Sequence, residues 1–379
     1  MIWLAIPALA AGAYYLLVLV GAWRWVWRAR SARAAMAGVA AAPPVSILKP
    51  IHGRDPHFYD AIRSHAEQDY PEFEILFGVG SADEPALEDI RRLQHEFPSR
   101  RIEIIEVATN APNAKAGALG ELAKHARCPV LLVNDSDISV EAGYLRAVTA
   151  PLANRHIGLV TCLYRARADS WPSRLEALGI ATEFAPSVLA ARLLGQAEFA
   201  LGSTMVFRAA TLHEIGGFDA IADYLADDYQ LGRQIHGRGY HIEFAACVVE
   251  TDLGGQSWAQ VWRHQLRWSR TIRVSRPSGY FGYAVTHATL WALVALAAGQ
   301  WWIAAAVFAV RIAAGVTVAA GVLKYGRIAR DLWLIPLRDL FGFAVWLAGG
   351  FGSTVQWRDR KLRLRADGKV LEGHRHGES

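Results

Sequence analysis

Long apolar runs near both ends of the chain enclose a stretch in which short apolar segments alternate with polar ones. The first run, from Ile2 to Trp23, carries no charge, and at about 20 residues it is long enough to span a bilayer. The basic residues that follow it are Arg24, Arg28, Arg30 and Arg33. A signal peptide would carry its positive charges before a shorter apolar core. We therefore predict a membrane anchor over residues 1–30, with the N-terminus outside and the following residues in the cytoplasm.

The middle stretch, residues 43–257, has the pattern of alternating strands and helices. The predicted strands cover 45–50, 73–80, 102–107, 130–133, 158–164, 202–207 and 240–249. The predicted helices cover 56–68, 85–97, 115–126, 210–216 and 227–236. This alternation predicts a mostly parallel, doubly wound α/β sheet. Because such sheets bind ligands beyond the carboxyl ends of their strands, the loops after the strands are where we expect a site.

After residue 257 the pattern predicts a second membrane region. Residues 258–280 are predicted to form an interfacial amphipathic helix. Residues 281–357 are predicted to be a transmembrane region, with spans at 281–299 and 301–321 and a last apolar segment at 332–357.

In this second region, the number of predicted spans conflicts with the side of the membrane expected for the basic tail. Arg338 and Asp339 interrupt the last segment. Three full spans would place the basic tail predicted at 358–379 outside the cell, against the positive-inside rule. The last segment is therefore expected to be re-entrant or interfacial, or else the number of spans differs by one.

The composition agrees with a membrane protein, since 53% of the residues are hydrophobic and 14 are Trp. The net charge is +5, but the basic excess lies beside the apolar runs. Basic residues in that position indicate a membrane surface and not a nucleic-acid partner. Cys128, Cys162 and Cys247 have no CxxC or paired spacing, so we expect them to be reduced thiols of a cytosolic domain.

The first candidate for chemistry is the acidic cluster after the fourth strand, Asp135-Ser136-Asp137. Two carboxylates one residue apart can approach one Mg²⁺ or Mn²⁺, with substrate phosphates completing its shell. Such an ion would neutralise the charge of a departing nucleoside diphosphate. Asp and Ser also favour turns and helix caps, which leaves a structural alternative. The position after an apolar strand, with two further acidic sites in the chain, favours the metal site.

The other two acidic sites are Asp83 and the pair Asp227-Asp228. The pair begins a predicted helix, where carboxylates also suit the helix dipole. We predict that Asp228 takes the proton from an acceptor hydroxyl, with Asp227 in support. Asp83 follows the second strand and is expected to accept hydrogen bonds from a base or ribose, although Asp-Glu-Pro is also an ordinary helix start. Lys115 could contact phosphate, or could be a solvated lysine.

A basic and aromatic block precedes the second apolar region, with the sequence Trp262-Arg263-His264-Gln265-Leu266-Arg267-Trp268. Arginine pairs with pyrophosphate in fork geometry, and tryptophan can stack on a sugar. The alternative is an interfacial helix, for which the anchors would be Trp258, Trp262, Arg270 and Arg273. We expect this element to serve both purposes.

Taken in order, these motifs resemble the family 2 and 21 glycosyltransferases, specifically the ceramide glucosyltransferase group, to which the bacterial hopanoid-associated glycosyltransferases are close. The matching motifs are Leu48-Lys49-Pro50 with Gly53, Asp83, Asp135-Ser136-Asp137, Asp227-Asp228-Tyr229 and Leu266-Arg267-Trp268. The resemblance is strongest over residues 45–275 and includes the membrane layout. It implies a GT-A fold, a UDP-sugar donor, a divalent metal and inversion at the anomeric carbon.

The resemblance also implies roles for the acidic residues. Asp83 corresponds to a contact with the nucleotide base. Asp135 and Asp137 correspond to contacts with the metal and the diphosphate. Asp228 corresponds to the catalytic base.

The last motif of the family, (Arg/Gln)-x-x-Arg-Trp, is only partly matched. Arg267 and Trp268 agree with it, but His264 stands at its first position, with Gln265 beside it. His264 could donate to the diphosphate in place of Arg or Gln, and its contribution would then depend on pH.

The activity implied is the transfer of one sugar, first of all glucose from UDP-glucose, to a lipid hydroxyl, first of all that of ceramide. The site would lie on the cytoplasmic side of the inner membrane, and residues 165–200 are expected to face the acceptor. Transfer of N-acetylglucosamine to a hopanoid lipid is an alternative. A processive polysaccharide synthase shares the acidic clusters but needs more spans for a polymer channel. A non-catalytic membrane scaffold is disfavoured, because all three acidic clusters are intact.

Overall fold

A computed structural model of the chain describes residues 2–36, 42–357 and 360–371. The chain divides into two compact units. One, here called the sheet unit, consists of Ala29–Tyr164 and Glu198–Asp252. The other, here called the helical unit, consists of Met1–Arg28, Arg165–Ala197 and Leu253–Ser379. Residues 37–41 lie outside the described residues, as do parts of the predicted basic tail, residues 358–359 and 372–379.

The strands are β1 (Val45–Pro50), β2 (Phe73–Val79), β3 (Arg101–Glu106), β4 (Val130–Val133), β5 (Ile138–Ser139), β6 (Ile157–Arg167), β7 (Met205–Arg208), β8 (His241–Asp252), β9 (Thr354–Trp357), β10 (Arg360–Leu364) and β11 (Val370–Leu371). The first eight form one sheet, in the order β3-β2-β1-β4-β7-β6-β8-β5. The last three form a small sheet in the order β11-β10-β9.

The helices are α1 (Ile6–Met36), α2 (Phe58–Ala66), α3 (Leu87–Glu96), α4 (Ala114–His125), α5 (Tyr144–Thr149), α6 (Trp171–Gly179), α7 (Ala185–Leu193), α8 (Ala209–Glu214), α9 (Asp227–Gly237), α10 (Trp258–Ser275), α11 (Pro277–Gly282), α12 (Ala288–Ala297), α13 (Trp301–Val316), α14 (Ile328–Asp331) and α15 (Ile335–Gly349). Each strand and helix predicted for the middle stretch is present, with its ends shifted by at most a few residues. The predicted doubly wound α/β class is confirmed.

Successive residues of the central strands point to opposite faces of the sheet, and both faces are covered. Ile47, Ile75 and Leu132 belong to one buried cluster. Leu48 and Leu131 belong to a second cluster. Strands that are buried on both faces consist of continuous apolar runs, which is why β1 and β4 could be predicted from the sequence.

The directions of the strands decide which loops meet. β1 runs parallel to both β2 and β4, so the carboxyl ends of all three lie at one edge of the sheet. β7 runs antiparallel to β4, with Met205 opposite Val133. The residues just before β7 therefore lie at the same edge as those just after β4.

Among the described residues, three helices are long and apolar enough to cross a membrane. They cover Trp3–Ala32, Trp301–Val322 and Ile328–Gly349. A further apolar pair, Pro277–Thr286 with Ala288–Ala297, is bent by 51° and is either a broken span or a re-entrant loop. Apolar helices near both ends of the chain agree with the prediction.

Two of the predicted apolar segments differ from the structure. The span predicted at 281–299 is the bent pair, which breaks at His287. The segment predicted at 332–357 is helical only as far as Gly349. Gly352 then takes a φ of 74°, a left-handed conformation that favours glycine, and residues 354–357 form β9. Apolar composition alone did not indicate either change of direction.

Arg338 and Asp339 do not interrupt the last apolar helix, because both are buried in pairs. Asp339 accepts hydrogen bonds from Arg311 of α13, at 2.6 Å from Nη2 and 3.0 Å from Nε, and from Thr289 of α12 at 2.6 Å. Arg338 Nη2 lies 2.9 Å from Glu183 Oε2. Buried charges among apolar helices are tolerated when they are paired. These contacts link α12 and α13 to α15.

Candidate functional site

The acidic cluster after β4 is fixed at the sheet edge by its neighbours. Asn134, fully buried, lies 2.7 Å from the Nε2 atom of His65 through its Nδ2 atom. Ser136 donates to Asp55 Oδ2 at 2.5 Å. Residues on both sides of Asp135 are therefore held, and its carboxylate has a defined direction.

Lys49 and Asp137 lie on either side of Asp135 in a partly enclosed environment. Lys49 is fully buried and donates from Nζ to the Asp135 carbonyl at 3.2 Å. Burial lowers the pKa of Lys49 to about 7, although the nearby carboxylates oppose the shift. Burial, together with the charge of Asp135, raises the pKa of Asp137 to about 7. The Thr251 hydroxyl donates to Asp137 Oδ2.

Lys115 joins the acidic cluster after β4 to the pair Asp227-Asp228. Its Nζ atom lies 2.7 Å from Asp135 Oδ1 and 3.3 Å from Asp227 Oδ2. Asn113 caps the start of α4 by accepting from the backbone N–H groups of Lys115 and Ala116, which sets where the side chain begins. Burial opposes the charge of Lys115, but the two carboxylates outweigh it and raise its pKa. Lys115 is thus not a solvated lysine.

Asp228 is held by two backbone N–H groups at the start of α9. Its Oδ2 atom accepts from Gly202 at 2.9 Å, and its Oδ1 atom accepts from Tyr229 at 2.7 Å. Burial and the neighbouring charge of Asp227 raise the pKa of Asp228, Lys115 and the two backbone hydrogen bonds oppose them, and the resulting pKa is about 6. A carboxyl group with that pKa is mostly ionised at neutral pH and is a stronger base than an ordinary aspartate.

The Gly202 backbone marks where these charged groups converge. A Cβ atom at this position would lie 3.4 Å from Asp228 Oδ2, 3.5 Å from Asp135 Oδ2 and 3.7 Å from Lys115 Nζ. The three groups therefore face one small space that a side chain would fill. Carboxylate oxygens are the ligands that Mg²⁺ and Mn²⁺ prefer, and Asp135 presents one to this space.

Asp83 is at the same edge of the sheet but separate from this group. It lies exposed in the turn after β2. Its neighbour Glu84 accepts from the backbone N–H of Gly53, and Arg54 donates to Asp89 at 2.6 Å. These contacts tie the loop after β1 to α3. Among the described residues, the Lys115 contacts that join Asp135 to Asp227 do not include Asp83.

His264 and Gln265, in the helical unit, share one buried partner. His264 Nδ1 lies 2.6 Å from Glu176 Oε1, and Gln265 Nε2 donates to the same oxygen at 2.9 Å. The Trp268 ring packs against His264 with centroids 4.7 Å apart. Arg267 lies on the same helix, α10. The basic and aromatic block is thus a helix whose polar side chains have specific partners.

The proposed lipid anchors of α10 contact protein. Arg270 donates from Nε to the Phe351 carbonyl at 3.1 Å, and Arg273 donates from Nη1 to the Gly350 carbonyl at 2.8 Å. Trp262 packs against Phe341 of α15 with centroids 5.8 Å apart. The arginines bind carbonyls at the end of α15, where a helix leaves them unpaired. The prediction that this helix also lies at the membrane surface stays a prediction.

Sequence reasoning did not single out three residues that matter to this geometry, namely Lys49, Glu176 and Gly202. Lys49 was noticed only inside the motif Leu48-Lys49-Pro50. Glu176 lies in the stretch 165–200, where the hydrophobic pattern has no clear period. Gly202 has no side chain that could suggest a chemical role. It matters because the absence of a side chain leaves a space open.

The chain is similar to known proteins in sequence and in fold. The family described as glycosyl transferase family 21 matches residues 3–370. Ceramide glucosyltransferase 3 of Caenorhabditis elegans is 24% identical over 353 residues, covering 87% of this chain and 74% of its own. Ceramide glucosyltransferase 1 of the same organism is 28% identical over 200 residues, covering 52% and 43% respectively.

Among solved structures, a mannosyltransferase from Pyrobaculum calidifontis, in complex with GDP-mannose and Mn²⁺, matches with a TM-score of 0.55 and 18% identity. The match covers 92% of this chain and 97% of that one. At this identity the likeness concerns the fold alone, and it agrees with the GT-A architecture predicted from the sequence.

Proposed function

Since the chain belongs to glycosyl transferase family 21 and is a glycosyltransferase similar to ceramide glucosyltransferases, we propose that it transfers one hexose from a UDP-sugar to the hydroxyl of a membrane lipid. Glucose is the sugar and ceramide the acceptor that the names of its relatives support, and the UDP carrier rests on the family resemblance. The observation that carries the proposal is the convergence of Asp228, Asp135 and Lys115 on the space at Gly202.

In this proposal Asp228 is the catalytic base. The lipid hydroxyl gives its proton to the Asp228 carboxylate while its oxygen forms a bond to the anomeric carbon. The bond from that carbon to the diphosphate oxygen breaks, and UDP leaves from the opposite face, which inverts the configuration. The hydrogen bonds from Gly202 and Tyr229 orient the carboxylate for this transfer.

Asp135 and Asp137 are the residues proposed to hold a divalent cation, Mg²⁺ or Mn²⁺. When bound, the cation would neutralise the charge that develops on the departing diphosphate. Lys115 adds a positive charge for the same phosphates, and Asp227 holds Lys115 in place. In these roles the residues act by positioning the substrates and by stabilising charge.

The remaining roles rest on the sequence motifs. We assign Asp83 to the nucleotide base. We assign Arg267 and Trp268 to the leaving diphosphate and the sugar. His264, with Gln265 beside it, takes the place of the family's Arg or Gln as a donor to the diphosphate.

The proposed orientation places the sheet unit in the cytoplasm, at the inner membrane, because basic residues follow the first apolar helix. With the bent pair at 277–297 as a re-entrant segment, the helices at 301–322 and 328–349 return the chain to the same side. The basic strand Arg360–Leu364 then also lies in the cytoplasm. This arrangement satisfies the positive-inside rule, which three full spans after the sheet unit would break.

The test is transfer from a panel of UDP-sugars, with Mn²⁺ or Mg²⁺, onto detergent-solubilised ceramide and hopanoid acceptors, with products read by mass spectrometry. Asp228→Asn is compared with Asp69→Asn, which changes an exposed carboxylate paired only loosely with Arg146 at 3.6 Å. A single-sugar adduct that is lost in Asp228→Asn alone supports the proposal. A ladder of products would identify a processive synthase, and UDP release without an adduct would refute the lipid acceptor.

A further inference from the structure

A fully buried carboxylate, Glu176, stands behind the one position where the chain departs from the family motif. Glu176 lies on α6, and its Oε1 atom contacts His264 Nδ1 and Gln265 Nε2, two adjacent residues of α10. Its Oε2 atom is buried without a hydrogen-bond partner among the described residues. Within the described chain, the Glu176 carboxylate therefore makes its hydrogen bonds only with this motif.

Glu176 is held as an anion by the residues it contacts. Burial alone would raise its pKa, but the charge and hydrogen bond of His264, with the hydrogen bond of Gln265, leave that pKa below its ordinary value. An ionised carboxylate only accepts hydrogen bonds, so Nδ1 of His264 carries the proton. Nε2 is then the ring nitrogen that remains for another contact.

The imidazole has little freedom to turn away from Glu176. The Trp268 ring lies 4.7 Å from it between centroids, and Phe184 packs behind Trp268 at 6.0 Å. Gln265 is fixed in turn, since Arg338 donates to its Oε1 atom at 3.1 Å. That contact directs the amide nitrogen of Gln265 to Glu176.

We propose that Glu176 is a positioning residue that fixes the His264 imidazole, with Nδ1 as donor to Glu176 and Nε2 presented to the diphosphate of the donor. A carboxylate that contacts one ring nitrogen of a histidine sets its tautomer and its orientation. The inference rests on the proposed function, which assigns His264 to the diphosphate.

The alternative is that Glu176 only staples α6 to α10. A double-mutant cycle separates the two, because a residue that acts through His264 has nothing left to do once His264 is gone. The full chain, purified in detergent, is titrated with UDP in the presence of Mn²⁺ by calorimetry. The variants are Glu176→Gln, His264→Ala and the two combined. Asp331→Asn is the matched control, since it removes an equally buried carboxylate from Arg174 without touching α10.

We expect Glu176→Gln to weaken UDP binding about tenfold, in the range found for residues that orient a ligand group. The combined variant should bind no more weakly than His264→Ala alone, and Asp331→Asn should bind like the wild type. If Glu176→Gln does not give folded protein, Glu176→Asp takes its place in the cycle, because it keeps the charge but withdraws it by one methylene.

Unchanged binding in Glu176→Gln, equal losses with and without His264, or an equal loss in Asp331→Asn would each overturn the role of Glu176. Unchanged binding in His264→Ala would remove His264 from the diphosphate and this inference with it, while Asp228 and the donor stand. A wild-type protein that binds no UDP would refute the proposed donor itself.

Discussion

The ammonium group of Lys115 lies 2.7 Å from Asp135 Oδ1, so a lysine in the first turn of α4 pairs with the acidic cluster that ends β4. The same group lies 3.3 Å from Asp227 Oδ2. One cation thus fixes the spacing of the two acidic clusters. The positive charge of Lys115 offsets the repulsion between the two carboxylates.

Replacing Lys115 by Met should destabilise the protein and reduce transfer. Breaking a buried pair usually costs about 3–5 kcal/mol, and we expect about 2 kcal/mol, because nearly half of the Asp135 side chain is open to solvent screening. Thermal unfolding in detergent measures this cost. Lys124→Met is the matched control on the same helix, since Lys124 pairs with Glu121 at 2.7 Å on the exposed surface. Equal melting temperatures for the two variants would contradict the bridging role of Lys115.

The rate of transfer should fall in acid as Asp228 takes up a proton. The pKa of Asp228 is raised to about 6, so the carboxylate is available above that pH and is lost below it. We expect kcat/KM to be level above about pH 6 and to fall about tenfold per pH unit below it. A pH–rate profile of the wild type measures this limb. A profile that stays level well below pH 6 would exclude Asp228 as the base.

Gly202→Ala should reduce activity without unfolding the protein. The added methyl group would meet Asp228, Asp135 and Lys115 at ordinary contact distances of 3.4–3.7 Å, so the fold can accept it. The space they face would be filled, and we expect about 100-fold slower transfer, the usual result of a small misplacement of reacting groups. Gly237→Ala, at the far end of α9 with nothing within 4 Å, is the control. Equal rates for the two variants would show that the space is not used.

The Arg311–Asp339 pair should be costly to break from one side only. Arg311→Met leaves Asp339 buried without its charged partner, with only the hydrogen bond from Thr289, and we expect a loss of about 3–5 kcal/mol. The double variant Arg311→Met with Asp339→Leu should recover most of that loss, because no charge remains to be buried. Thermal unfolding in detergent distinguishes these cases. Arg63→Met, at an exposed pair with Glu67, should change little.

The sheet unit could be predicted because its signals are local. β1 and β4 are short apolar runs, and the direction of the parallel strands then brought Asp135 and Asp83 to one edge. Asp228 could be chosen as a base from its motif, but its pKa could not. That value depends on burial and on Lys115, which lies more than a hundred residues away in the sequence.

The helical unit could be predicted only in outline, because its decisive contacts are distant in sequence. Asp339 was taken as an interruption, since its partner Arg311 lies in a different helix. Glu176 lies 88 residues from His264, in a stretch without period. A hydrophobicity pattern registers such residues as defects, and only the packing of the helices shows that they are paired.

The pairing of Arg311 with Asp339 also has a consequence for the order in which the chain is made. α13 leaves the ribosome before α15, and an unpaired arginine near the centre of a span costs about 2.5–3.5 kcal/mol to insert. Only the short stretch between residues 322 and 328 separates the two apolar helices. They are therefore best inserted together as a helical hairpin, once residue 339 has been synthesised. If synthesis stopped between residues 311 and 339, Arg311 would lack its partner, and its helix would not insert stably into the membrane.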